Sequence, residues 1–240
     1  MSAQGSLISG VQRLGYVLTP EQVEQFRAYQ RQLLDWGRRV NLTAITEPGE
    51  VERLHFLDSL AVALALPEQV HAHGLVCDVG SGAGFPGVPL KILFPGMRLT
   101  LIDSVSRKTS FLSALVESLG LQGVDVLTGR GEDLAHDSAL RESFDAVVAR
   151  AVAPLRVLSE LTLPFCRVGG SAILQKKGDV RQEVLDAARA MIALGGRLVA
   201  VMAVPAEVLP GERALVVVEK VAPTPDQYPR RAGIPAKRPL

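Results

Sequence analysis

The sequence predicts an α/β protein: a Rossmann-like, seven-stranded, mostly parallel sheet carrying an N-terminal helical extension. Three observations support this. From Gly74 onward, short apolar runs alternate with helical periodicities, the grammar of a parallel sheet covered on both faces. A glycine-rich loop directly follows the first of these runs. The chain has 240 residues, 48% hydrophobic and 21% charged, enough for a sizeable core without disulfide staples.

The elements follow in order. The first residues lack a charged start followed by an apolar stretch, which argues against secretion. No apolar run approaches the ~20 residues that span a bilayer, so a cytoplasmic location is expected. Thr19-Pro20-Glu21-Gln22 is a capping box with proline at the first helical position. Phe26, Tyr29, Leu33, Trp36 and Val40 then recur every three or four residues, on one helical face. A second helix is expected over about 48–66, with Val51, Leu54, Leu57, Leu60 and Leu64 inward. Strands are predicted at 75–79, 99–102, 124–127, 146–149 and 171–174, with helices at about 86–94, 107–119, 154–165 and 180–194. Two further strands, 197–204 and 214–219, stand side by side. Five strand–helix units followed by two adjacent strands match the class I methyltransferase arrangement, whose last strands form a hairpin. The expected organisation is a helical extension (1–70), a core (71–220) and a basic, proline-rich tail (221–240).

Cys77 and Cys166 sit in apolar runs, without CxxC or Cys/His spacing, and read as buried thiols rather than metal ligands. The net charge of +1 hides an asymmetry. The tail carries Arg230, Arg231, Lys237 and Arg238 against Asp226, a balance of +3, which leaves the body at −2. With five prolines it reads as an extended segment whose basic residues meet a polyanion.

The most informative stretch runs from Val76 to Gly87. Gly80, Gly82 and Gly84 alternate directly after a strand, where a backbone can approach a nucleotide-type cofactor. Residues 82–87 also satisfy GxGxxG, so an NAD(P)-dependent oxidoreductase competes. Charge favours S-adenosylmethionine. Asp78 precedes the first glycine by two residues, which suits a sulfonium and ammonium and repels a pyrophosphate; the cofactor's single carboxylate can meet the loop amides. Asp103 ends the next strand 23 residues after Gly80, near the spacing of a ribose-binding acid. Gly131-Glu132-Asp133 follows the third strand, where an adenine contact is expected. Asp78 as a turn cap and residues 131–133 as a solvated acidic loop are the plain structural alternatives.

Asn41-Leu42-Thr43, His55-Phe56-Leu57-Asp58-Ser59-Leu60, the loop from Asp78 to Pro89, Ala149-Arg150-Ala151 and Tyr228-Pro229-Arg230-Arg231 carry a resemblance. Together they resemble the bacterial 16S rRNA guanine-N7 methyltransferases, the glucose-inhibited division protein B family, over nearly the whole chain. The resemblance implies methylation of N7 of one guanine (guanine 527, in the 530 loop) in 16S rRNA of the small ribosomal subunit. It implies cofactor contacts from Gly80, Phe85, Asp103, Ser104, Val105, Gly131 and Glu132, with Arg150 closing the site. Gln175-Lys176-Lys177-Gly178 departs from the family's leucine-lysine-glycine form and leaves two candidates, Lys176 and Lys177, for one lysine position.

Guanine N7 carries a lone pair and no proton, so methyl transfer to it needs alignment rather than a general base. The sequence offers no Ser/His/Asp or Cys/His constellation; His55, His71, His73 and His136 are dispersed, and His55 reads as structural. Lys176 or Lys177, the tail's basic residues, and Arg38 and Arg39 are the candidate RNA contacts. A non-catalytic ribosome-binding factor on the same fold is the third reading.

Overall fold

The computed structural model describes residues 4–150 and 153–240; Ala151, the last residue of one motif above, lies outside the described residues. The chain begins with α1 (Gln4–Arg13) and α2 (Pro20–Gly37). The capping box forms as read: Thr19 Oγ1 accepts the Gln22 N–H at 3.2 Å, and Gln22 Oε1 accepts the Thr19 N–H at 2.9 Å. Phe26, Tyr29 and Leu33 are buried, and Phe26 and Tyr29 each meet Phe56 at 5.1 Å between ring centroids.

The second helical stretch is less regular than its periodicity predicts. It passes through α3 (Pro48–Val51), a π turn (Glu52–Leu57), α4 (Asp58–Leu60) and a 3-10 turn (Ala61–Leu64), before α5 (Glu68–His73). The wider turn inserts an extra residue into the helical repeat, and His55 within it and Asp58 directly after it both reach Arg150.

The core then alternates β1 (Leu75–Val79), α6 (Gly87–Leu93), β2 (Arg98–Asp103), α7 (Ser106–Ser118), β3 (Val124–Thr128), α8 (Gly131–Leu134), β4 (Phe144–Arg150), α9 (Leu155–Thr162), β5 (Cys166–Lys177) and α10 (Arg181–Ala193). It finishes with β6 (Gly196–Ala203) and β7 (Arg213–Lys220). The strands form one seven-stranded sheet in the order β3-β2-β1-β4-β5-β7-β6, and β7 runs antiparallel to both neighbours. The order reverses beside β1, so the ends of β1, β2 and β4 form the crevice in which such sheets bind ligands. Both faces of the sheet are covered, which is why β1, β2 and β4 read as near-continuous apolar runs. Val76, Leu99, Leu101, Val148 and Ile173 pack toward the N-terminal helices, while Ala149, Leu174, Val216 and Val218 pack with α9 and α10. Cys77 and Cys166 are fully buried free thiols, and burial pushes both thiols up, Cys166 to about 12.

The tail departs from the sequence reading. It is no free extended segment but a strap held to the body, ending in α11 (Ile234–Lys237). Arg141 donates to the carbonyls of Thr224 (2.7 Å) and Tyr228 (2.9 Å), and His136 bonds the Pro229 carbonyl at 2.9 Å. Arg156 donates to the Leu240 carbonyl at 2.6 Å. Arg230, expected to meet phosphate, forms a forked pair with Glu160, whose side chain is 0% exposed, and its backbone N–H donates to the same carboxylate. A buried carboxylate demands a fixed cation, so the Arg230 side chain is held against the body and does not project freely from the tail. Arg231, Lys237 and Arg238 remain exposed.

Candidate active site

The glycine loop leaves β1 and turns through three left-handed glycines, Gly80 (φ 75), Gly82 (φ 60) and Gly84 (φ 95). They serve different ends. A Cβ on Gly82 would meet only the Gly80 carbonyl oxygen, at 3.9 Å, so this glycine borders open space. A Cβ on Gly84 would come within 2.6 Å of the Tyr29 hydroxyl and 2.8 Å of Val88, so Gly84 lets the loop pack on α2 and α6. Tyr29 in turn donates its hydroxyl to the Ala83 carbonyl.

Asp78 does not flank the open side of the loop. It is fully buried, and Oδ2 accepts the Gly87 N–H at 2.8 Å at the start of α6. Burial pushes its carboxyl up to about 7. The capping role is therefore the one its geometry performs, and the charge argument for Asp78 as a direct partner of a bound cation is corrected. The carboxylate still occupies the helix N-terminus that a pyrophosphate would need.

The loop amides are also largely committed. Gly80 and Ser81 donate to the Ile102 carbonyl, Gly84 and Phe85 to the Ser81 carbonyl, and Gly82 to Asp103 Oδ2. Five of the six amides from Gly80 to Phe85 thus have acceptors within the chain, contrary to the expectation that they wait for a ligand carboxylate.

A cleft of about 400 Å³ opens over this loop, lined by Gly80, Gly82, Phe85, Asp103, Lys108 and Arg150, together with Leu42, Thr43 and His55 from the N-terminal segment. That volume lies in the range of small-molecule sites. Asp103 Oδ1 accepts the Val105 N–H and Oδ2 the Gly82 N–H, both at 2.9 Å, and Lys108 Nζ lies 3.7 Å from Oδ2. Each oxygen keeps a second lone pair for a hydroxyl. Ser104 and Val105 are exposed just past β2. Gly131 and Glu132 stand apart from the lining residues; the Glu132 carboxylate accepts the Gly233 N–H at 2.9 Å and so holds the tail.

At the other side of the loop, Phe85 lies between three groups. It stacks on Tyr29 (5.4 Å) and His55 (4.6 Å), and the Arg150 guanidinium sits 4.8 Å from its centroid. Arg150 donates to Asp58 Oδ2 (2.8 Å) and the Leu54 carbonyl (3.2 Å), and reaches His55 Nδ1 (3.3 Å). Asp58 Oδ1 accepts from Arg213 Nε at 3.0 Å. One buried carboxylate therefore holds two guanidinium groups from the ends of β4 and β7. Burial and the Arg150 charge push the His55 ring down to about 4, so it is neutral near pH 7.

His55 and Arg150 are shared with a second cleft, also about 400 Å³, lined by Leu54, Asp58, Gln175, Lys176, Lys177 and Arg213. Lys176 is tied to Glu183 (2.7 Å) and the Ala153 carbonyl (3.1 Å), whereas Lys177 is exposed at the rim. Among the other histidines, His71 stacks on Phe94 and His136 serves the tail. Arg38 and Arg39 are exposed beyond α2. Sequence reasoning missed Thr43, Lys108 and Arg213 as lining residues. Thr43 stood inside a quoted motif, but Lys108 and Arg213 carry no local signal.

Among the described residues no helix is long and apolar enough to cross a membrane. The family model described as rRNA small subunit methyltransferase G matches residues 22–215. A Dehalococcoides mccartyi protein named ribosomal RNA small subunit methyltransferase G is 47% identical over 98% of both chains. One of the same name from Brevibacillus brevis is 45% identical over 94% of both. In fold, the chain resembles M. jannaschii TYW2 in complex with AdoMet (TM-score 0.52, 16% identity, 68% of this chain and 75% of that one). It also resembles precorrin-6y C5,15-methyltransferase from Geobacter metallireducens (TM-score 0.51, 13% identity, 75% and 92%). The chain belongs to the rRNA small subunit methyltransferase G family.

Proposed function

We propose that this protein transfers a methyl group from S-adenosylmethionine to N7 of a guanine in 16S rRNA of the small ribosomal subunit, in the cytoplasm. The observation that carries the reading is the pair of clefts sharing one wall, His55 and Arg150. The loop-side cleft suits the cofactor. It offers an acceptor for a ribose in Asp103, an apolar ring in Phe85 and an open backbone at Gly82. The second cleft is basic at Lys177 and Arg213, as a polyanionic RNA requires.

S-adenosylmethionine supplies an electrophilic methyl group on a sulfonium. The protein's task is then to align it with N7, which has a lone pair and no proton to remove. Neutral His55 adds no charge beside the cationic donor, and Asp58 offsets the charge of Arg150. Arg150, fixed by Asp58, Leu54 and Phe85, is placed to position both reactants at the shared wall. Gly80, Phe85, Asp103 and Arg150 stand as cofactor contacts in this reading. Ser104 and Val105, exposed just past β2, can contribute backbone. Lys177, Arg231, Lys237 and Arg238 stand as RNA contacts. Methyl transfer from labelled cofactor to small subunits lacking the modification, followed by mapping of the labelled base, tests it. Label at any atom other than a guanine N7, or none on rRNA, overturns it.

A further inference from the structure

The hydrogen bonds beside the loop-side cleft have a direction. A guanidinium only donates, so the Arg150 contact at 3.3 Å makes His55 Nδ1 an acceptor. A neutral ring then carries its proton on Nε2, and that N–H donates to Thr43 Oγ1 at 2.7 Å. The Ile45 N–H donates to the same oxygen at 3.0 Å. Two donors occupy both lone pairs of the hydroxyl, so Thr43 retains only its proton to offer. Thr43 lines the cleft with His55, Phe85 and Arg150.

Along its ribose and amino-acid portion the proposed cofactor presents three kinds of polar group to such a cleft. Its ammonium only donates and is mismatched to a donor. Its ribose hydroxyls find an acceptor in Asp103, bonded to Gly82. Its carboxylate only accepts and needs donors, yet five of the six loop amides are already committed. We propose that the Thr43 hydroxyl, locked as a one-way donor by Arg150 and His55, recognises the amino-acid carboxylate of S-adenosylmethionine. This rests on the reading that the loop-side cleft takes that cofactor. Thr43 is thereby a specificity residue for the amino-acid end of the ligand, supplied by the N-terminal segment.

The test is calorimetric titration with S-adenosylhomocysteine and with its decarboxylated analogue, which differ in the carboxylate alone. Thr43→Val should weaken S-adenosylhomocysteine about tenfold or more, the effect of losing a hydrogen bond to a charged group. The same variant should bind the decarboxylated analogue as the wild type does, within about twofold, and Thr43→Ser should restore most of the loss. Equal loss on both ligands would show that the hydroxyl merely supports His55 and Ile45, and would overturn the proposal. No loss on either ligand would overturn it too. Wild-type protein that binds neither ligand would instead overturn the cofactor reading beneath it. Thr43→Ala, which adds no methyl group against the Ile45 N–H, gives the same comparison if Thr43→Val does not fold.

Discussion

Replacing Arg230 by alanine should destabilise the fold and leave electrostatic capture of RNA nearly intact. Glu160 is 0% exposed, and its carboxylate accepts four hydrogen bonds, one from the Arg230 backbone and three from the guanidinium. The substitution removes the side-chain cation and leaves the buried carboxylate with the single backbone donor. Breaking a buried pair by deleting one partner costs about 3–5 kcal/mol. Arg230 is 26% exposed, so water can reach part of the gap, and the lower end, about 3 kcal/mol, is expected. At about 2–4 °C per kcal/mol for a chain of this size, Tm should fall by about 6–12 °C. Arg231→Ala, on the exposed neighbour, should stay within about 0.5 kcal/mol of wild type. Replacing Arg230 and Glu160 together by methionine should recover most of the loss, because no unpaired charge is left. Denaturant unfolding of the four proteins in one buffer, beside rRNA affinity at several salt concentrations, reads both quantities. If Arg230→Ala keeps its unfolding midpoint but lowers the salt slope of RNA binding by about 0.7, Arg230 is a phosphate contact and the strap argument is wrong.

The other predictions concern the site. Gly84→Ala should cost several kcal/mol, since its Cβ would collide with Tyr29 and Val88 at positive φ; Gly82→Ala should cost only about 1 kcal/mol of stability yet weaken S-adenosylhomocysteine by filling the cleft, and equal unfolding losses would contradict this division. Burial holds Asp78 near 7, well above the ordinary aspartate value of 3.8, so the folded state keeps a proton that the unfolded state releases. Its cost to stability therefore grows as pH rises from about 4 to about 7, and the gain from Asp78→Asn should grow over the same window; a gain independent of pH would refute the assignment. Arg150→Ala should lose methyl transfer more than RNA binding. His55, titrating near 4, should contribute no ascending limb to the single-turnover rate between pH 6 and 8, and a limb in that range that vanishes in His55→Gln would restore a general base.

Most of the fold was legible because its signals are local. Alternating apolar runs, a capping box and a glycine loop each arise within a few residues, and all seven predicted strands lie within or across the observed ones. The π turn over Glu52–Leu57 was not legible, because the apolar spacing of 48–64 also fits a regular helix. Of the site, Gly80, Phe85, Asp103 and Arg150, read from the sequence as cofactor contacts, come together on one cleft, since each ends or follows a strand at the sheet's ligand-binding edge.

The succession of strands and helices, the cofactor-type loop and the family resemblance depend on neighbours in the chain and could be read from it. The pairing of charges depends on residues brought together from distant parts of the chain, and it emerged only in the folded protein. Asp78 faces a helix N-terminus rather than the cleft, Arg230 answers a carboxylate 70 residues away, and Arg150 meets Asp58 across 92 residues. A charged side chain in a sequence is free to be assigned to any partner. In the folded protein a buried charge must be paired, and the cost of leaving it unpaired fixes Arg230 on Glu160 and Arg150 on Asp58.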